Sequence, residues 1–178
     1  VEEGLNIAGT VFDKGIKTPK PIAYIENSTL VGLTNSFYIS ENLTYDFDFG
    51  ALLNADFPDR ENILKQFTEF TYQLHENDIH HFDHSKGNTL MCRNSDHQYD
   101  FYLIDLNRMK FEEMTYEKRM DNFNRLSLTD DMIEIVGKKY ASLIGQDAQK
   151  VIADIKKSCD KFDEFKLRKG RWKKRVGK

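Results

Sequence analysis

The sequence predicts an α+β fold in which a small antiparallel sheet with one helix adjoins a mainly helical part. Three observations predict it. Short β-prone runs crowd between residues 22 and 39, just after two helix-breaking prolines, Pro19 and Pro21. A long segment, Asp59 to Asn77, carries Ile63, Leu64, Phe67, Phe70 and Leu74 as one apolar stripe at helical spacing. Beyond a polar loop and a hairpin, two further amphipathic segments each begin at a capping residue.

In chain order, residues 2 to 14 read as a helix ending at Gly15, a residue that accepts the left-handed cap conformation. Ile22–Ile25, Leu30–Leu33 and Ser36–Ile39 read as strands, with Asn27-Ser28 and Thr34-Asn35 as turns between them. Ser40 to Phe57 is polar and irregular, with some short helical content, and Asp46, Asp48, Asp56 and Asp59 make it a charged, solvated connector. After the long helix, Ile79 to Asn88 lacks any period and reads as a loop. Thr89–Cys92 and Tyr99–Ile104 form a hairpin around Asn94-Ser95-Asp96. Thr129 then caps a helix bearing Met132, Ile135, Val136, Tyr140, Leu143 and Ile144, and Asp147 caps another bearing Val151, Ile152, Ile155, Cys159 and Phe162.

Composition narrows the class. Hydrophobic residues are 39% and charged residues 31% of 178, ordinary for a water-soluble globular chain. No apolar run approaches the roughly 20 residues that span a bilayer, and the first residues have no signal-peptide pattern. Cys92 and Cys159 lie far apart with no metal or redox spacing, which fits a reducing cytoplasm. His75, His80, His81, His84 and His97 match no zinc spacing, and His84 and His97 read as surface residues. The charge is uneven. Residues 166–178 hold eight basic residues and no acidic one, so the preceding 165 carry −11 against a whole-chain −3. That end reads as a mobile basic tail, one that meets an anionic partner or is simply a solvated, partly disordered end. Trp172 among lysines and arginines would suit nucleic acid, but the acidic body argues against it; an anionic membrane or a phosphorylated glycolipid fits better.

The chemistry concentrates between residues 81 and 105. Asp83 and Asn88 stand five apart on the polar loop, and Asp105 ends the second strand of the hairpin. Phosphoryl transfer needs a carboxylate beside the acceptor hydroxyl and oxygen ligands that hold magnesium against the phosphates. A loop followed by a short hairpin can bring these three side chains to one point, with His81 bracing the backbone.

His81-x-Asp83-x-x-x-x-Asn88 matches the catalytic-loop pattern of protein and small-molecule kinases, and Asp105-Leu106-Asn107 stands where kinases carry Asp-Phe-Gly. His81-x-Asp83-x-Ser85-x-Gly87-Asn88 with Leu103-Ile104-Asp105-Leu106-Asn107-Arg108 resembles more narrowly the lipopolysaccharide kinase (Kdo/WaaP) family, as does Gly15–Tyr24. The resemblance runs from about residue 2 to about residue 125. It implies a protein-kinase-like fold with a truncated small lobe (1–40), a mainly helical large lobe (41–165) and the basic tail (166–178). It implies Asp83 as catalytic base, supported by His81, with Asn88 and Asp105 as magnesium ligands, and Ser40, Glu41 and Asn42 as the hinge that meets the adenine of ATP. It implies an acceptor sugar, Kdo or heptose, in the lipopolysaccharide inner core, met at the cytoplasmic face of the inner membrane. The glycine-rich loop and strand lysine of kinases would lie upstream of the first helix; Lys14, Lys17 and Lys20 follow it. Glu2 and Glu3 are candidates for the glutamate that pairs with that lysine. The intact catalytic loop favours a fragment of a longer kinase, inactive by itself, over a degenerate one. A small-molecule kinase of the aminoglycoside or choline type and a non-catalytic kinase-like binding module are the alternatives.

Overall fold

The computed structural model describes residues 3–29 and 32–175. Helix α1 (Glu3–Asp13) ends as its sequence predicts: Gly15 takes φ +73°, and the Ile16 N–H donates to the Val11 carbonyl at 3.1 Å. Ala8, Val11 and Ile16 are buried and join the main core. Strands β1 (Pro21–Thr29) and β2 (Gly32–Ser40) then form one long antiparallel hairpin, with Tyr24 opposite Tyr38 and Ile25 opposite Phe37. This corrects the reading of three short strands. Asn27 pairs with Asn35 inside the ladder, and only a bulge marks Asn27-Ser28. Turn propensity is a weak prior, and a two-stranded ribbon tolerates polar residues along its length. Leu30, Val31 and Glu2 lie outside the described residues.

The connector is more structured than its charge suggested. Strand β3 (Phe47–Asp48) leads into a 3₁₀ turn, Phe49–Leu53, in which Phe49 and Leu52 are wholly buried. Its aspartates hold backbone rather than water alone. Asp48 accepts from the Gly50 N–H at 2.8 Å, and Asp46 accepts from the Arg93 N–H at 2.7 Å. Asp59 accepts from the Asn62 amide at 2.9 Å and the Tyr99 hydroxyl at 3.1 Å, and the Asn62 bond leads the causes that lower its pKa.

Helix α2 (Arg60–Glu76) is the central element, and all five residues of its predicted stripe are buried. Phe67 packs against Phe49 with ring centroids 4.5 Å apart and edge-on against Phe101 at 6.1 Å. Strand β4 (Ile79–His81) follows, then β5 (Thr89–Ser95) and β6 (Gln98–Leu103), which make the expected hairpin. The turn sits at Asp96-His97, where His97 takes φ +58°. A three-stranded sheet runs in the order β3-β5-β6. Strand β7 (Met109–Phe111) pairs antiparallel with β4, so the first three residues of the expected loop are strand. Only a long-range partner makes Ile79–His81 a strand, and three residues carry no period to announce it. The small hairpin is tied to this body where the Leu103 N–H donates to the Lys17 carbonyl at 2.9 Å, beside a Lys17–Asp100 ion pair at 2.7 Å.

Three helices complete the body: α3 (Tyr116–Asp121), α4 (Asp130–Ile144) and α5 (Ala148–Arg175). Asp147 caps α5 through the Lys150 N–H at 2.8 Å, as its position predicts. Thr129 stands at the start of α4, but its hydroxyl donates to Asp131 and caps no N–H. Helices α4 and α5 cross at Gly137, where a Cβ would come within 2.5 Å of Ile152. The basic stretch expected as a mobile tail instead continues α5 as far as Arg175, with Lys166 paired to Asp163 one turn back at 2.8 Å. Lysine and arginine are good helix formers, and the helix runs through Gly170, which disfavours it without ending it.

A polar chain runs through this otherwise apolar core. The Tyr140 hydroxyl meets His75 Nδ1 at 2.6 Å, His75 Nε2 meets Asn122 Oδ1 at 3.2 Å, and the Asn122 amide donates to the His81 carbonyl at 2.9 Å. The chain is satisfied when His75 is neutral with its proton on Nε2. Burial pushes the His75 pKa down to about 3, against the partial opposition of the Asn122 bond. The unfolded chain therefore binds a proton below about pH 6.5 that the folded one refuses, and stability falls as pH drops through that window. At pH 5 the loss from His75 alone is on the order of 2 kcal/mol. We expect the urea midpoint to fall between pH 7.5 and 5, and the fall to be smaller in His75→Gln, which cannot titrate.

Candidate active site

The loop after β4 is built around His81, which is wholly buried. Its Nδ1 accepts from the Asp83 N–H at 3.1 Å, and its Nε2 donates to the Ile104 carbonyl at 3.0 Å. One ring thus joins the loop that carries Asp83 to the residue before Asp105. Both carboxylates lie close enough for their fields to raise the His81 pKa, yet burial outweighs them and the pKa ends lowered. A neutral ring is what the two hydrogen bonds require, one nitrogen accepting and the other donating.

Asn88 closes the loop from the other side. Its amide Nδ2 donates to the Asp83 carbonyl at 2.8 Å, and the Ser85 N–H reaches the same oxygen at 2.7 Å. The Ile104 N–H donates to the Asn88 carbonyl at 3.1 Å. Asp83 is thus joined to Asn88 directly, Asn88 to Asp105 through Ile104, and Asp83 to Asp105 through His81 and Ile104. Asp105 takes φ +57° and ψ +48°, an uncommon conformation for a residue with a side chain. Its nearest cation is Arg108 at 3.7 Å, on a half-exposed rim. Beside Asp105 opens a cleft of about 130 Å³, lined by Thr18, Pro19, Ser40, Ile104, Leu106 and Asn107. Of the expected hinge, Ser40 lines this cleft, while Glu41 and Asn42 are exposed beyond it. The Glu41 N–H is committed to the Lys20 carbonyl at 2.8 Å.

The donor set suits a hard cation. With its Nδ2 occupied by the Asp83 carbonyl, Asn88 keeps Oδ1 free of that bond, and Asp105 offers a carboxylate. Two oxygen side chains are a partial set, and magnesium that also binds phosphate and water needs no more from the protein.

Two residues depart from expectation. His84, read as a surface residue, is buried and stacks on Phe67 at 5.5 Å, because the loop turns back over α2 and points this position into the apolar stripe. Its Nδ1 and the Thr89 hydroxyl are the buried side-chain atoms with no hydrogen-bond partner among the described residues. His97 is exposed, in the β5–β6 turn. Arg125 was not foreseen: its guanidinium donates to Asp83 Oδ1 at 3.4 Å across 42 residues of chain. No local pattern around Asn124-Arg125-Leu126 signals that contact.

Removing the His81 ring leaves a part-buried N–H and a part-buried carbonyl unpaired, at about 1 kcal/mol or more for each such group. His81→Ala is expected to lower unfolding free energy by about 2 kcal/mol or more on this basis, and Asn88→Ala by about 1 kcal/mol, since it removes one such bond. Denaturant titration of both variants checks the order; an Asn88→Ala loss exceeding that of His81→Ala would contradict it.

The comparisons with known proteins bear on the fold and the family. A solved chain described as WaaP in complex with acyl carrier protein superimposes with a TM-score of 0.66, at 16% identity, over 89% of this chain and 74% of that one. At that identity the likeness speaks for the fold, which is that of the protein kinases. No curated protein matches the sequence. The model of the lipopolysaccharide kinase (Kdo/WaaP) family matches residues 9–146, which take in the end of α1, all three sheets, the His81–Asn88 loop, Asp105 and α4, and the chain belongs to that family.

Proposed function

We propose that this protein takes part in ATP-dependent transfer of a phosphoryl group to a sugar hydroxyl of the lipopolysaccharide inner core, Kdo or heptose, with Asp83 as the catalytic base. The observation that carries the reading is the His81 ring. It holds the Asp83 backbone and the residue before Asp105 in one unit, so a base and a metal-binding carboxylate keep a fixed relation.

In this reading, Asp83 sits where it can orient the acceptor hydroxyl and take its proton. Asn88 Oδ1 and Asp105 hold magnesium, which when bound neutralises the phosphates of the nucleotide. The cleft beside Asp105 receives part of the nucleotide. Its volume of about 130 Å³ lies below the roughly 300 Å³ at which whole ligand pockets begin. Ser40 and Asn42 present backbone to the base, since the Glu41 N–H is already engaged.

The setting we assign is the cytoplasmic face of the inner membrane. No helix among the described residues is long and apolar enough to cross a membrane. Lys166, Arg168, Lys169 and Arg171 stand exposed on α5 with Phe165 and Leu167. Basic residues near an anionic surface contribute on the order of 1 kcal/mol each, screened by salt.

The test is Asp83→Asn in the full-length gene product. The amide keeps the shape of the side chain and cannot take a proton. Turnover with a lipopolysaccharide core acceptor is expected to fall about 10²–10⁴-fold, with ATP affinity little changed. Unaltered turnover would remove Asp83 as base, and absence of any ATP-dependent transfer by the wild type would defeat the reading.

A further inference from the structure

The turn between α3 and α4 touches the catalytic loop twice. Asn122 donates to the His81 carbonyl at 2.9 Å, and Arg125 reaches the Asp83 carboxylate at 3.4 Å. Phe123 and Leu126, on either side of Asn124-Arg125, are wholly buried, so the turn is anchored in the core. It is also fastened to α5 by residues on one face of that helix. Asn124 donates to the Ser158 hydroxyl at 3.3 Å, and the guanidinium of Arg125 lies over the Phe162 ring at 4.8 Å. Arg125 is thus a cation held by a buried turn and an aromatic face, aimed at the carboxylate assigned as catalytic base.

That pairing has a consequence for the reaction. The guanidinium on Asp83 occupies Oδ1, one of the two carboxylate oxygens that an acceptor hydroxyl could meet. Among the described residues Arg125 has one hydrogen-bond acceptor, so most of its five donors stay available to a ligand. The planar fork suits a carboxylate or phosphate, and it lies over the Phe162 ring, which it shares with Lys166. An acceptor bearing an anionic group near its reactive hydroxyl can draw the guanidinium to itself and free Asp83 for the proton. A neutral acceptor leaves the pair in place.

We propose that Arg125, positioned by Phe162 of α5, is the acceptor-side anion-binding residue and selects acceptors whose reactive hydroxyl lies near a carboxylate or phosphate. The selection rests on the kinase reading above; the anion site itself does not. In the transfer, the hydroxyl oxygen forms a bond to the γ-phosphorus of ATP as the bond to the β-γ bridging oxygen breaks. The hydroxyl proton passes to Asp83, and ADP leaves with the electron pair. Arg125 takes no part in that exchange of bonds.

Two measurements separate the levels. In the full chain, the side-chain Nε–H resonance of Arg125, assigned from its loss in Arg125→Lys, is followed by NMR during titration with inorganic phosphate, a sugar acid and a neutral methyl glycoside. It is expected to move with at least one of the two anions and not with the glycoside, and Phe162→Leu is expected to weaken that anion binding several-fold. The anion that moves it further names the class. A resonance unmoved by both anions, or moved equally by the glycoside, overturns the anion site whether or not the protein is a kinase. In the full-length gene product, Arg125→Gln should raise KM for an anionic acceptor about 10- to 100-fold, the range for a lost charge-assisted hydrogen bond, with KM for ATP unchanged. Equal losses on anionic and neutral acceptors would overturn the selectivity. A wild type that phosphorylates no acceptor would defeat the kinase reading and the selection together, leaving the NMR result to decide the anion site.

Discussion

The imidazole of His81 spans the two segments that any phosphoryl-transfer chemistry here must bring together. One nitrogen accepts from Asp83 and the other donates to Ile104, and both bonds need a neutral ring. Two nearby carboxylates pull the ring toward protonation, and burial prevails over them. The ring is buried because α2 presents a continuous apolar stripe beneath it and β4 pairs with β7. A protonated His81 would lose its acceptor nitrogen, and with it the bond that sets the backbone of Asp83. The loop geometry thus depends on a neutral ring, and burial in the core keeps it so.

Behind His81 the same logic repeats. His75 is also buried and neutral, and it connects the Tyr140 hydroxyl on α4 to Asn122, whose amide holds the His81 carbonyl. A partly satisfied network of this kind would cost more than an apolar core, whereas a fully satisfied one specifies a single arrangement. The turn that carries Asn122 also carries Arg125, so the α4 packing, the α5 face and the catalytic loop share one short segment. Gly137 lets α4 and α5 approach closely enough to hold that segment.

Much of this was legible in the sequence because it is local. The stripe of α2, the Gly15 stop of α1, the Asp147 cap of α5 and the β5–β6 hairpin each follow from a few neighbouring residues, and the structure has all four. Spacing around a loop and hairpin set the expectation that Asp83, Asn88 and Asp105 group together, and the structure ties their segments through His81, Asn88 and Ile104. What escaped was non-local. Strand β4 exists only because β7 returns to pair with it 30 residues later. His84 is polar by type but is carried inward by the turn of the loop, onto Phe67. Arg125 meets Asp83 through a turn whose own sequence is ordinary, and the basic end of the chain looked like a loose tail because charge alone does not distinguish a solvated coil from a solvated helix face.

In the proposed reading, Asn88 and Asp105 form one magnesium-dependent nucleotide site with the loop that carries Asp83. Calorimetric titration of the full-length gene product with ATP, with and without magnesium, tests it most directly when repeated on Asp105→Asn. The account predicts that magnesium tightens ATP binding to the wild type and that this enhancement disappears in the variant while the fold persists by circular dichroism. An enhancement of equal size in Asp105→Asn would contradict it.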